Sequence, residues 1–387
     1  MSYRARYETY NGSTNIAPCN ATNYLPMWSR GFASTCCDVF PESIGTQNRH
    51  INFFEHGDLS DVNYFEKKQI KHKDIVYVTT ADMPFFINKF LELSQETQIV
   101  LVTGSEDIGT PYELFHPDRK HFFDYKKSAV WPRGQKISMK EFLQDKRLHK
   151  WFAQNYDVVG CNVYSCSNLD PIKDKAIIDK LTPIPIGLDF HTSADHKNLQ
   201  KSICEQRRDL DAVKVGMPPF SKRKDGIVAA FDCKFDRTKI GVARQRTRGE
   251  ICALLSNSSA TSALAVVRGA GGKEGSDRRL SFWKHLSQYK FSVAPSGFGV
   301  DTHRLWEILQ IGSVPITVSS TLNGLYSQFP IVVLNGWADL FDSKIFSNHV
   351  DTIIKMYGTD PVNSYVQYKL SMLYWIDVIR TEKENIV

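Results

Sequence analysis

Several features are missing from this 387-residue chain. Each absence closes off a class of protein. No run of about 18 apolar residues occurs, so the sequence predicts no membrane-spanning helix. Residues 1–15 (MSYRARYETYNGSTN) are polar and hold no apolar core of a signal peptide. The eight cysteines (Cys19, Cys36, Cys37, Cys161, Cys166, Cys204, Cys233, Cys252) include no C-x-x-C pair. A zinc ribbon or dithiol redox motif is therefore not expected, and buried free thiols are the default. On that reading the sequons at Asn11, Asn20 and Asn257 carry no weight. No low-complexity segment or internal repeat is visible. A strong excess of one charge is also lacking. Forty-eight basic residues face 42 acidic ones, for a net charge of +6. The basic residues are scattered and match no nucleic-acid-reading signature, so no nucleic acid is expected as a partner. The small excess suits anionic small ligands.

What is present reads as a soluble globular chain. Its length is long for one domain and comfortable for two. Residues 1–70 carry few periodic runs. Within them 53–58 (FFEHGD) reads as loop or edge strand before it reads as a site. Residues 74–81 (DIVYVTTA) and 98–103 (QIVLVT) are buried-strand runs, with a helix between them opening at Pro84. The loop 104–109 (GSEDIG) follows. Thr110-Pro111-Tyr112-Glu113 then reads as a capping box, which leaves Glu106 and Asp107 without capping duty. Ser138 opens a second capping box and a helix expected to run to about Tyr156. Residues 157–164 and 181–188 are the third and fourth strands, the last ending in Asp189-Phe190-His191. Residues 206–225 are charged and then proline-bearing, which marks a linker. A second α/β unit begins at Gly226. It has a helix bearing Arg244, Arg246 and Arg248, a strand at 263–267 and a helix at 277–286. Residues 361–380 read as one long amphipathic helix. Strands alternating with helices predict parallel sheets in two α/β domains.

Residues 289–319 (YKFSVAPSGFGVDTHRLWEILQIGSVPITVS) are the most informative stretch. They read as strand, glycine-rich turn, helix, strand. The turn Pro295-Ser296-Gly297-Phe298-Gly299 has glycines suited to positive φ or to close approach of a ligand. Asp301 or Thr302 can cap the helix, and Gly312 stops it. Leu305, Ile308 and Leu309 form a packing face, while Arg304 and Glu307 share another. A turn at the carboxyl end of a strand in an open α/β sheet is a ligand site. There the following helix start favours a phosphate, Arg304 can add a planar cation, and Glu307 can accept from a ribose or sugar diol. The plainer alternative is an exposed Arg304–Glu307 salt bridge worth under ~1 kcal/mol.

This stretch resembles the carboxy-terminal signature of exostosin-like glycosyltransferases, R-x-x-E-A-x-x-x-G-x-x-P-V. Here it stands as Arg304, Glu307, Ile308, Gly312, Pro315 and Ile316, with isoleucine at the position where the family often has alanine. The resemblance covers residues 226–337 and not the first half. It implies a GT-B fold: two Rossmann-like domains facing across a cleft, with the last helix crossing back to the first. The division expected is 1–205 (acceptor binding), 206–225 (linker), 226–360 (nucleotide-sugar binding) and 361–387 (the returning helix). It implies a UDP-linked sugar donor and a glycan or glycoprotein hydroxyl as acceptor. Arg248 matches the arginine that such proteins carry on the first helix of this domain. Ser296, Gly297 and Gly299 would shape the phosphate turn. Family members are usually membrane-anchored and no anchor is expected here, so this chain reads as a cytoplasmic or virus-encoded relative, or as a trimmed form of an anchored one.

Charge on the leaving diphosphate needs a metal or fixed cations. The only D-x-D, Asp209-Leu210-Asp211, lies in the charged linker and reads as a solvated face. Metal-independent stabilisation by arginines and a helix start is therefore expected, with no cofactor required. An inverting enzyme also needs a general base from the first domain. Asp107 is the first choice, with Asp189 and His191 second; a plain loop role is the alternative for each, and a retaining enzyme needs no such base. The competing function is a glycan- or nucleotide-sugar-binding protein without turnover. A dinucleotide-dependent oxidoreductase ranks last, because no G-x-G-x-x-G follows residue 74 or 226.

Overall fold

The computed structural model describes residues 26–40, 68–115, 137–158, 173–190, 203–231, 233, 242–256, 266–268, 278–297 and 299–386. The chain divides into two compact units. One comprises Met1–Ile186 with Met372–Val387, and the other Gly187–Ser371. Among the described residues no helix is long and apolar enough to cross a membrane.

The first unit is built on four parallel strands in the order β1 (Ile75–Thr79), β2 (Ile99–Gly104), β3 (Leu148–Ala153), β4 (Leu181–Pro183). Every residue of β1 and β2 is buried, which is why both are continuous apolar runs without alternation. The helix Met83–Glu92 lays Phe86, Ile87 and Phe90 into the core, with proline in its first turn. Phe90 meets Phe142 edge-on at 5.0 Å, and Phe142 meets Trp151 of β3 at 5.6 Å. These pairs link two helices to the sheet through contacts of the favoured T-shaped kind. The helix Met372–Glu384 returns to this unit and packs on the helix Gly31–Cys36. Trp375 lies 6.2 Å from Phe32 there, and Lys383 Nζ reaches Asp38 Oδ2 at 2.6 Å.

Three sequence expectations in this unit are corrected. The helix opened by Ser138 forms its capping box but ends at Gln144. Arg147 fixes the chain just past the stop. Its guanidinium grips the Asp145 carboxylate at 2.7 and 3.0 Å and the carbonyls of Leu91 and Leu93 at 3.0 Å. The chain then enters β3, where Trp151 and Phe152 favour a pleated surface. The strand expected at 157–164 is not seen at Asp157 and Val158, and residues 159–164 lie outside the described residues. The capping at Thr110 is also rewired. Asp157 accepts the N–H groups of Tyr112 and Glu113 at 2.8 and 2.9 Å, and Glu113 turns back to the Gly109 N–H.

The second unit holds five parallel strands: β5 (Lys224–Ala229), β6 (Val266–Arg268), β7 (Tyr289–Val293), β8 (Val314–Val318) and β9 (Val332–Leu334). Their order is β6-β5-β7-β8-β9. The core is Ile227, Phe291, Val293, Val314, Ile316 and Val332 from the sheet, closed by Ile251, Leu255, Trp337 and Phe346. Gly312 has φ 79° and ends the helix before β8, as the sequence pattern required. The segment expected as a linker at 206–225 is not one. Residues Ile203–Gly216 form a helix that buries Ile203, Leu210 and Val213 in this unit. The charges that suggested a linker are divided: Arg208 and Glu205 face outward, while Arg207 is buried and Lys214 is held between Gln310 and Gln367. The helix expected over 361–380 is two helices, Ser364–Lys369 and Met372–Glu384, broken at Leu370 and Ser371.

The cysteines also depart from expectation. Cys233 and Cys252 form a disulfide, and Cys204 is disulfide-bonded. Cys36 and Cys37 are free and buried, and burial pushes the Cys36 thiol up to about 12. Disulfides persist in oxidising compartments and are rare in the cytosol, which weighs against cytoplasmic residence.

Candidate functional site

The chain passes from β5 to β6 on one side and then crosses back to form β7 on the other side of β5. The sheet order therefore reverses between β5 and β7. In open parallel sheets the crevice outside the carboxyl ends at such a switch point is where ligands bind. The turn Pro295–Gly299 follows β7 directly and lies there.

Just beyond the turn, a buried carboxylate braces the start of the next helix. Asp301 is 1% exposed and accepts from Trp306 Nε1 at 2.8 Å, from the Tyr326 hydroxyl at 3.2 Å and from the Thr302 N–H at 2.9 Å. Burial, then the Asp301 charge beside it, raises the Tyr326 phenol well above its ordinary value, so it stays a donor. Thr302 is the first residue before the helix His303–Gln310, and its side chain makes no capping bond. Asp301 is thus committed to Trp306 and Tyr326, and neither residue caps in the way the sequence suggested. Gly297 does not have positive φ. A Cβ there would make only ordinary contacts, 3.5 Å from Arg248 Nη2 and 3.8 Å from Thr302 Cγ2, so neither backbone conformation nor space demands glycine at this position. The Arg248 guanidinium, carried by the helix Val242–Ser256, therefore lies close over the turn. Ser296 is half-buried and Gly299 is buried.

Arg304 and Glu307 do pair, with Arg304 Nε 3.4 Å from Glu307 Oε2. The plain exposed-pair reading fails on burial, since Glu307 is only 5% exposed. A buried carboxylate requires further partners. Arg279 supplies one, its Nε standing 3.2 Å from Glu307 Oε1. The same guanidinium donates from Nη1 to Gln206 Oε1 at 2.8 Å and has Nη2 3.7 Å from Asp189 Oδ2. Arg304 stacks on Phe282 with its guanidinium carbon 3.8 Å from the ring centre.

The predicted residues thus fall into three places. Arg248, Ser296, Gly297 and Gly299 gather at the turn. Arg304, Glu307 and Asp189 join a network centred on Arg279. Asp189, considered as a base from the first domain, belongs to the second unit and is ion-paired there. Asp107 is exposed at the end of β2 in the first unit. His191 lies outside the described residues. The D-x-D sits inside the helix Ile203–Gly216 with Leu210 fully buried, and Asp211 pairs with Arg207 at 3.5 Å. Consecutive odd positions on a helix point about 200° apart, so the two carboxylates do not converge.

Sequence reasoning missed Arg279, Gln206 and Phe282. One signal was available: Arg279, Phe282 and Trp283 stand at i, i+3 and i+4 and share a helix face. No family model matches the chain, and no curated protein matches it.

Proposed function

We propose that this protein is a glycosyltransferase of the GT-B kind. It moves a sugar from a nucleoside-diphosphate donor, uridine-linked, to a hydroxyl of a glycan or glycoprotein. The observation that carries the reading is the coincidence of three features at one point of the second unit. The topological switch of the parallel sheet, the glycine turn with Arg248 packed over it, and the Arg304–Glu307 pair all lie at or just after the end of β7. A diphosphate fits such a place, because a helix start and planar guanidinium groups both favour its charge. Fixed cations of this kind can stabilise charge on a leaving diphosphate without reorganising. The reaction therefore proceeds without a metal, and Glu307 accepts from donor hydroxyls through lone pairs left by its two arginine partners. If configuration is inverted, Asp107 takes the acceptor proton. Disulfide bonds favour a working compartment on the oxidising side.

A thermal-shift screen against a panel of nucleotide sugars tests the reading. A ligand held at 100 times its dissociation constant stabilises the native state by about 2.7 kcal/mol. At least one uridine-linked sugar should raise the unfolding temperature, in chelator as well as without it. A flat response across the panel removes the donor site, and binding without transfer to any glycan acceptor leaves a nucleotide-sugar-binding protein.

A further inference from the structure

We propose that Arg279 is the positioning residue of this site: it fixes the Glu307 carboxylate and, through it, the Arg304 guanidinium. The inference rests on reading Arg304 and Glu307 as donor-binding residues, and it adds a residue outside the glycine turn and its helix.

The argument begins with the helix Arg278–Leu286. Arg279, Phe282 and Trp283 occupy one face of it. Phe282 is the floor on which Arg304 stacks, at 3.8 Å. Arg279 holds the far oxygen of the carboxylate that Arg304 holds by the near one. One helix face therefore sets both members of the pair.

Arg279 is itself fixed from several directions. Its three nitrogens face three different protein oxygens, on Glu307, Gln206 and Asp189. Gln206 is 2% exposed and donates from its amide to the Phe190 carbonyl at 2.8 Å. The Arg279 guanidinium also lies 5.6 Å from the Trp283 ring centre. A fork with all three nitrogens aimed at the protein has its geometry set before any ligand arrives. That is the property of a support, whereas a group that grips substrate keeps donors for it. Lysine cannot replace it, because a single ammonium cannot face three oxygens on separate segments at fixed angles.

The test uses the full-length protein and three variants, Arg279→Lys, Arg279→Gln and Gln206→Leu. The first readout is the Arg304 Nε–H signal in nitrogen-15 spectra, with its rate of exchange with water. In Arg279→Lys we expect that signal to move and its exchange to speed up roughly ten-fold or more, as a charge-assisted bond is loosened. The second readout is affinity for uridine diphosphate, which should weaken several-fold in the same variants, while the unfolding temperature of Arg279→Lys changes little. Gln206→Leu removes one anchor and keeps the charge, so it carries the test if neither Arg279 variant folds. An unmoved Arg304 signal in any folded variant of Arg279 or Gln206 overturns the proposal, even if stability falls. Failure of the unaltered protein to bind uridine diphosphate strikes instead at the donor-site reading, and the Arg304 signal still decides whether Arg279 positions it.

Discussion

The bond between Cys233 and Cys252 offers a quantitative test of the second unit. The two residues are 19 apart in sequence. Closing a loop of that length in the unfolded chain stabilises the native state by about 3 kcal/mol in the chain-entropy account. For a unit the size of residues 187–371, each kcal/mol moves the unfolding temperature by about 2–4 °C. The double variant Cys233→Ser, Cys252→Ser should therefore melt about 6–12 °C below the parent. Adding reductant to the parent should produce a shift in the same direction. The bond also bears on the site. Cys252 follows Arg248 by four residues on one helix, so both lie on one face, and the bond ties that helix to the segment after β5. Loss of the bond should loosen Arg248 over Gly297 and weaken diphosphate binding along with stability. The assay is calorimetric unfolding with and without reductant, together with mass mapping of a non-reduced digest. If both thiols react with an alkylating agent in the native, unreduced protein, the bond is absent and the argument for an oxidising compartment rests on Cys204 alone. If the bond maps but the double variant melts with the parent, the loop-closure reasoning is refuted.

Three further outcomes follow from the same geometry. Asp157→Ala removes the acceptor of two backbone N–H groups at the start of the helix Tyr112–Phe115 and should cost about 1–3 kcal/mol by chemical denaturation. Burial pushes the Lys214 ammonium down from 10.5 to about 8, with its Nζ held by Gln310 and Gln367 at 2.9 and 3.2 Å. The folded state then binds fewer protons than the unfolded chain between those two values, so stability should rise with pH through that window, and Lys214→Met should flatten the rise. Asp107→Asn should lower turnover about 10²–10⁴-fold with donor affinity unchanged if Asp107 is the base; normal turnover in a folded variant excludes it.

The sequence made the second unit more legible than the first, for physical reasons. From Tyr289 to Val318 each element announces itself: a buried run, a proline and glycine turn, an amphipathic helix, a glycine stop at φ 79°. Local chemistry and tertiary role agree there. Leu148–Ala153 failed because LHKWFA carries apolar residues at spacings that suit either a helix or a strand. Only Arg147, reaching back to carbonyls more than 50 residues away, decides it. The supposed linker failed for a similar reason, since a charged helix with a narrow buried stripe of Ile203, Leu210 and Val213 reads locally as solvated chain. The Arg304–Glu307 pair was visible as an i, i+3 spacing. Its burial and its dependence on Arg279 were not, because they arise where helices distant in sequence meet. The disulfide was hidden for the same reason, as no short spacing marks Cys233 and Cys252.

The central claim is that the turn after β7, with Arg304 behind it, holds a nucleoside diphosphate. Titration calorimetry of uridine diphosphate into the parent protein and into Arg304→Ala, in chelator, tests it most directly. The account predicts measurable binding by the parent and a loss of about 1.5–3 kcal/mol, roughly ten- to 150-fold, in the folded variant. Equal affinity in both, or no binding by the parent, would contradict it.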